Sequence, residues 1–103
     1  VIHAVAPQWF GGYNREEELL EKCYHSIYEI VESEGFKSVA LPAIGIGSYR
    51  WPKEIATPIA INIAKQFQLN HMDVLLRFVC FTDEVADFYT SLLRSIEQSD
   101  EIV

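Results

Sequence analysis

The sequence predicts an α/β fold with a mostly parallel sheet between helices, and three observations lead there. Short apolar runs, Val1–Ala6, Phe36–Ile44 and Val74–Phe81, read as buried strands. The segments after each run carry apolar residues at helical spacing. The resulting β-α-β-α-β-α order demands crossovers, which favour parallel strands covered on both faces. Three strands make a small sheet with exposed edges. The chain opens at Val1, inside an apolar run and without methionine, so further strands are expected upstream in a longer chain.

Taken in order, Val1–Ala6 is β-branched and apolar, and Pro7 ends it. His3 within it is expected to be a hydrogen-bonded structural residue rather than a catalytic base. Gln8–Tyr13 is a loop rich in aromatics and glycine, either edging a pocket or capping the core. Asn14, with Glu17 three residues on, reads as an N-cap and capping box. The helix that follows has Leu19, Leu20, Cys23, Tyr24, Ile27, Ile30 and Val31 on one face. Glu16, Glu17, Glu18, Glu21 and Lys22 are expected to face solvent, with His25 on the same surface. That acidic start suits the helix dipole, and reads as a solvated face rather than a metal site. Gly35 ends the helix as its C′ residue.

After Phe36–Ile44 come Gly45 and Gly47, and then Pro52, well placed at a first helical position. Strand, glycine loop and helix in that order would aim free N–H groups and a helix N-terminus at one spot suited to an anion. The glycines would allow positive φ and close approach of a ligand. A tight turn with nothing bound is the alternative, and these residues alone leave both open. The helix from Pro52 to Gln68 carries Ile55, Ile59, Ile63 and Phe67 on one stripe. Pro58 inside it would cost about 3 kcal/mol, so a cheaper arrangement makes Thr57 a second N-cap. Leu69–Asp73 is a polar link containing His71. Thr82 and Asp83 begin a last helix with Val85, Phe88, Tyr89, Leu92, Leu93 and Ile96 inward. The acidic tail, Gln98–Val103, is expected to fray. Ligands of such sheets bind at the carboxyl ends of the strands. The Trp9–Tyr13 loop, the Gly45–Tyr49 loop and Phe81 are expected to gather there.

Composition narrows the function. The 103 residues suffice for one small domain, and the 50% hydrophobic content gives it a core. The net charge of −7 argues against a nucleic-acid backbone as partner, but not against a small phosphate ligand held by backbone amides. No apolar run approaches the roughly 20 residues of a membrane span. Cys23 and Cys80, far apart in sequence, read as reduced thiols of a cytoplasmic protein. Neither has a Cys or His at metal-ligand spacing, so no metal and no cofactor is expected.

Common motifs do not match. Gly45-Ile46-Gly47-Ser48-Tyr49-Arg50 lacks the third glycine of a dinucleotide fingerprint, and no Gly-Lys-Ser/Thr follows. Ser48 lacks the flanking glycines of a nucleophile elbow, and a triad with a histidine carries little weight.

Four places in order resemble the macro domain family, whose members bind ADP-ribose. Val-Ile-His-Ala-Val-Ala-Pro, residues 1–7, is similar to the family's Val-Ile-His-Thr-Val-Gly-Pro strand. Leu20–Tyr24 resembles its Leu-x-x-Cys-Tyr helix. Leu41–Pro52 resembles its Pro-Ala-Ile-Ser-Thr-Gly-Val-Tyr-Gly-Tyr-Pro loop. Val79-Cys80-Phe81, with Asp83 behind, is similar to its last strand. The resemblance covers essentially the whole chain and is nearest the branch that removes ADP-ribose or acetyl groups. It departs at Ala6 and Arg50, where glycine is common, and at Gly45-Ile46, where Ser-Thr is usual. The Gly45-Ile46-Gly47 sequence is closer to the loop of ADP-ribose readers. Arg50 could stiffen the loop or offer a cation to phosphate.

The resemblance implies a three-layer α/β/α macro-domain-like fold whose N-terminal strands are absent here, so that residues 1–103 are the C-terminal part of a single macro domain. It implies ADP-ribose or an ADP-ribosylated molecule as ligand, bound by Ile44, Gly45, Ile46, Gly47, Ser48, Tyr49 and Phe81. Gly45–Tyr49 would wrap the diphosphate and distal ribose, with Tyr49 facing that ribose, while Phe81 would stack on adenine. Core packing is the usual role of an aromatic residue, but the positions of Tyr49 and Phe81, after the glycine loop and at a strand end, favour a ligand role over it. The family's catalytic carboxylate and asparagine turn would lie upstream of Val1. The intact domain would then hydrolyse O-acetyl-ADP-ribose or ADP-ribosyl esters on protein. A non-catalytic ADP-ribose reader and a structural remnant are the rival expectations.

Overall fold

The computed structural model describes residues 1–47 and 49–102, with side chains through Ser95. Helix α1 spans Glu16–Glu34, strand β1 Ser38–Pro42, helix α2 Lys53–Asn70, strand β2 Leu75–Val79 and helix α3 Asp83–Ile102. The strands pair in parallel, Ser38 opposite Leu75 and Pro42 opposite Val79. Their carboxyl ends therefore point the same way, and α2 is the crossover that a parallel pair requires.

Alternation along the strands decides which sheet face is covered. Val39, Leu41, Leu76 and Phe78 turn toward the helices, while Ser38, Ala40, Pro42, Leu75, Arg77 and Val79 are exposed. The core between sheet and helices holds Leu20, Tyr24, Ile27 and Val31 of α1 with Ala56, Ala60, Ile61 and Ala64 of α2. A fully buried side chain such as Leu20 or Ile61 contributes about 1.5–3 kcal/mol. Tyr28 stacks on Phe67, centroids 4.6 Å apart, and Phe78 meets Tyr89 at 5.1 Å, tying α1 to α2 and β2 to α3. Burial pushes the Tyr89 phenol up to about 12.

Several expectations are corrected. Val1–Ala6 is not a strand, and the sheet among the described residues has two strands. A strand needs a partner about 4.8 Å away. Val1, Ile2, Ala4 and Ala6 instead face β1 across a cavity of about 750 Å³. A second cleft of about 510 Å³ separates Ile2–Pro7 from α1. His3 is consequently exposed rather than buried.

Helix α1 begins after Arg15, which sits at φ 59° and provides no side-chain cap, so Asn14 is not the N-cap. Glu16 does not face solvent; it is 1% exposed. Leu19 and Ile30, assigned to the inner face, are exposed. The helix does end as expected, with the Gly35 N–H donating to Glu32 O at 3.2 Å and the Phe36 N–H to Val31 O at 3.1 Å.

Helix α2 runs unbroken through Pro58, and Thr57 is buried inside it rather than capping a second helix. Proline forfeits one backbone hydrogen bond, and the burial of Ala56, Ala60 and Ile61 around it offsets that loss. Thr82 Oγ1 accepts the Val85 N–H at 3.3 Å and caps α3. That helix continues to Ile102, through most of the segment expected to fray. The Ile96 side chain and Val103 lie outside the described residues.

Candidate functional site

The 750 Å³ cavity lies against the exposed face of β1 and its carboxyl end. It brings together Ile44, Gly45, Ile46, Tyr49 and Phe81, five of the seven residues singled out from the sequence. Gly47 belongs to the same loop but does not line the cavity, and Ser48 lies outside the described residues. Ser38, Ala40 and Pro42 complete the wall without having been anticipated. Strand alternation is the signal that could have found them, since it turns these three toward one face.

Phe81 is 95% exposed and Tyr49 is 43% exposed, so the core-packing alternative fails for Phe81. Both rings border the cavity from loops that follow parallel strands, which is why they meet. The cavity lining among the described residues contains no carboxylate and no imidazole. His25 is exposed on α1. His71 caps the end of α2, stacked on Phe67 with centroids 4.2 Å apart.

The glycine loop is built from short hydrogen-bonded turns. The amides of Ile46, Arg50 and Trp51 donate to Ala43 O, Gly47 O and Gly45 O at 3.3, 2.9 and 3.0 Å. Among the described residues, the amides of Gly45, Gly47 and Tyr49 have no such acceptor. Gly45 and Gly47 adopt φ 89° and 102°, which L side chains rarely tolerate. Arg50 sits at φ 63°, in the left-handed region where the family resemblance puts glycine. The first turn of α2 does not line this cavity, contrary to the expected convergence of loop and helix N-terminus. Trp51, 3% exposed, turns inward beneath Gly45 and carries the chain away from the cavity before Lys53 begins α2.

Trp51 also connects the glycine loop to the segment before α1. Its indole N–H donates to Pro7 O at 2.8 Å, and its ring lies 4.9 Å from that of Trp9. The Trp9 amide donates to Tyr49 O at 2.9 Å. Trp9 thus brings the first loop to the glycine loop, but none of Trp9–Tyr13 lines the cavity that Phe81 borders, so the expected gathering of all three is met only in part. Sequence reasoning missed the part taken by Glu16. Its Oε2 accepts the amides of Phe10 and Gly12 at 3.0 and 2.8 Å, and its Oε1 accepts that of Asn14. Burial raises this carboxyl, but the backbone donors outweigh it and hold the group below the usual carboxylate value. The successive glycines at 11 and 12, five and four residues ahead of a helix-starting glutamate, were the available signal.

Among the described residues, no cluster of His, Cys, Asp or Glu is placed to hold a metal ion. None of their helices is long and apolar enough to cross a membrane. Cys23 and Cys80 are both free thiols.

The family profile described as Macro domain matches residues 1–60. A protein of Citrobacter koseri named O-acetyl-ADP-ribose deacetylase is 40% identical over 102 residues, 98% of this chain and 56% of its own length. One of the same name from Enterobacter cloacae is 38% identical over 103 residues, 99% of this chain and 57% of its own. The chain thus spans little more than half the length of these curated relatives. Among solved structures, the Oceanobacillus iheyensis macrodomain with ADP superposes with a TM-score of 0.84 at 28% identity, covering 92% of this chain and 50% of that one. The Trypanosoma brucei macrodomain in complex with ADP-ribose gives 0.70 at 28% identity, covering 75% and 34%.

Proposed function

The chain belongs to the macro domain family, and from that premise we propose that it supplies one wall of an ADP-ribose site. The observation that carries this reading is the cavity bounded by Ile44–Ile46, Tyr49 and Phe81: among the described residues, the amides of Gly45 and Tyr49 on its lining, and that of Gly47 in the same loop, have no backbone acceptor. Those amides, from Gly45, Gly47 and Tyr49, are donors for a diphosphate that needs no basic side chain. This suits a chain of net charge −7. Ser48, in the same stretch, joins the ligand contacts. Tyr49 faces the distal ribose, and the exposed Phe81 ring stacks on adenine.

In this reading residues 1–103 are the later part of a single macro domain. Two observations support it. Curated relatives are nearly twice as long as the match, and Val1–Ala6 stands off β1 across open space with β-type sequence and no strand partner among the described residues. The complete protein hydrolyses O-acetyl-ADP-ribose or ADP-ribosyl esters on protein, with its catalytic carboxylate supplied from upstream of Val1. The names of the relatives support the substrate class. The free thiols favour a reducing compartment, the cytoplasm.

A second reading, a reader that binds ADP-ribose without turnover, is favoured by one observation: no general base lines the cavity among the described residues. A product-release assay on the full-length protein and on residues 1–103 separates the two. The enzyme reading expects deacetylation by the full-length protein and none by the segment. Tight ADP-ribose binding without turnover in the full-length protein would favour the reader, and absence of binding would overturn both.

A further inference from the structure

We propose that Glu16 is a positioning residue for the ligand loop: its buried carboxylate folds the turn before α1, and that turn holds Tyr49 and Trp51 in place. The proposal rests on the ADP-ribose reading for its ligand, but its structural step stands on contacts alone.

A buried carboxylate needs compensation, and this one has it entirely from backbone. Both oxygens accept amides of the preceding turn, from Phe10, Gly12 and Asn14. Such charge-assisted bonds are roughly twice as strong as neutral ones. The turn has few other anchors, because Phe10 and Tyr13 are themselves largely exposed. Immediately upstream, the same stretch grips the glycine loop at two points. The Trp9 amide takes Tyr49 O at 2.9 Å, and Pro7 O receives the Trp51 indole N–H at 2.8 Å. The Trp51 ring in turn supports Gly45 so closely that a Cβ there would stand 2.7 Å from Cδ1. Glu16 does not line the cavity and is not placed to touch ligand. Its influence on binding passes through Trp9 and Trp51, the only two tryptophans of this sequence.

Those tryptophans give the test its readout, taken as the difference between variant and wild type. Glu16→Gln keeps the size of the side chain, removes its charge and sets an NH2 group against backbone donors. In the full-length protein, the expected result is unchanged far-UV circular dichroism, an altered near-UV tryptophan signal, and faster amide exchange over Tyr49–Trp51. Affinity for ADP-ribose is expected to fall about fivefold or more. Glu16→Asp, which keeps the charge, should recover part of each effect. Trp51→Phe, which breaks the link to Pro7 but leaves the Glu16 bonds intact, should weaken ADP-ribose in the same direction, and decides the matter if Glu16→Gln does not fold. Wild-type tryptophan signal, loop exchange and affinity in Glu16→Gln would overturn the proposal, as would wild-type affinity in Trp51→Phe. If the wild-type protein fails to bind ADP-ribose, the ligand reading falls alone. The near-UV and exchange measurements then still decide whether Glu16 sets the loop.

Discussion

Gly45 lies directly against Trp51: a Cβ added to the glycine would stand 2.7 Å from Cδ1 and 2.9 Å from Cγ of the indole. The glycine also sits at φ 89°. Gly45→Ala therefore combines left-handed strain of about 1–2 kcal/mol with overpacking of about 1–3 kcal/mol. We expect a loss of roughly 2–5 kcal/mol in denaturant unfolding. A loss under about 0.5 kcal/mol would mean that Trp51 does not occupy the space beneath the loop.

Gly47 presents the opposite case. Among the described residues, and apart from its chain neighbours, nothing lies within 4 Å of where its Cβ would stand, although φ is 102°. Gly47→Val should leave the protein folded, with backbone strain of about 1–2 kcal/mol, because no neighbour must move. It should abolish ADP-ribose binding by blocking the approach of phosphate to the loop amides. Calorimetric titration with wild-type affinity would remove this loop from the site.

Phe81 tests the adenine end. At 95% exposure its ring contributes little to the core, so Phe81→Ala should leave the melting temperature unchanged. Stacking on a base is worth about 1–3 kcal/mol. The variant should therefore bind ADP-ribose roughly tenfold or more weakly while ribose 5-phosphate is unaffected. Equal losses for both ligands would show that the ring acts on loop structure and not on adenine.

Acid should release the turn before α1. Glu16 is held below its ordinary value of 4.5 in the folded state, so it favours folding most above that value. The contribution is lost as pH falls from there through the folded-state pKa. The near-UV tryptophan signal should accordingly stay constant from neutrality to about pH 5 and change only on further acidification. A transition between pH 6 and 7 would assign the signal to another group.

These cases also mark how far the sequence was legible. Apolar spacing located the three helices of the described residues, and Gly35 marked the end of α1. The cavity residues Ile44–Ile46, Tyr49 and Phe81 were legible because parallel strands end on the same side, so their following loops converge. Val1–Ala6 was not, since β-branched composition describes a residue's fit to a sheet but cannot supply the partner that makes a strand. Glu16 was misread because its neighbours Glu17 and Glu18 do face water. The backbone donors that satisfy it come from a turn whose shape periodicity cannot encode. Pro58 was misread for a related reason: local cost argued for a break, while tertiary burial around it keeps α2 continuous.

The most direct measurement is an amide chemical-shift titration of the full-length protein with ADP-ribose. Saturating shifts are expected at the Gly45, Gly47 and Tyr49 amides, accompanied by the Phe81 ring protons, with the cleft between Ile2–Pro7 and α1 unaffected. Shifts confined to that cleft, or an absence of shifts at Gly45 and Gly47 under saturating ligand, would contradict an ADP-ribose site at this loop.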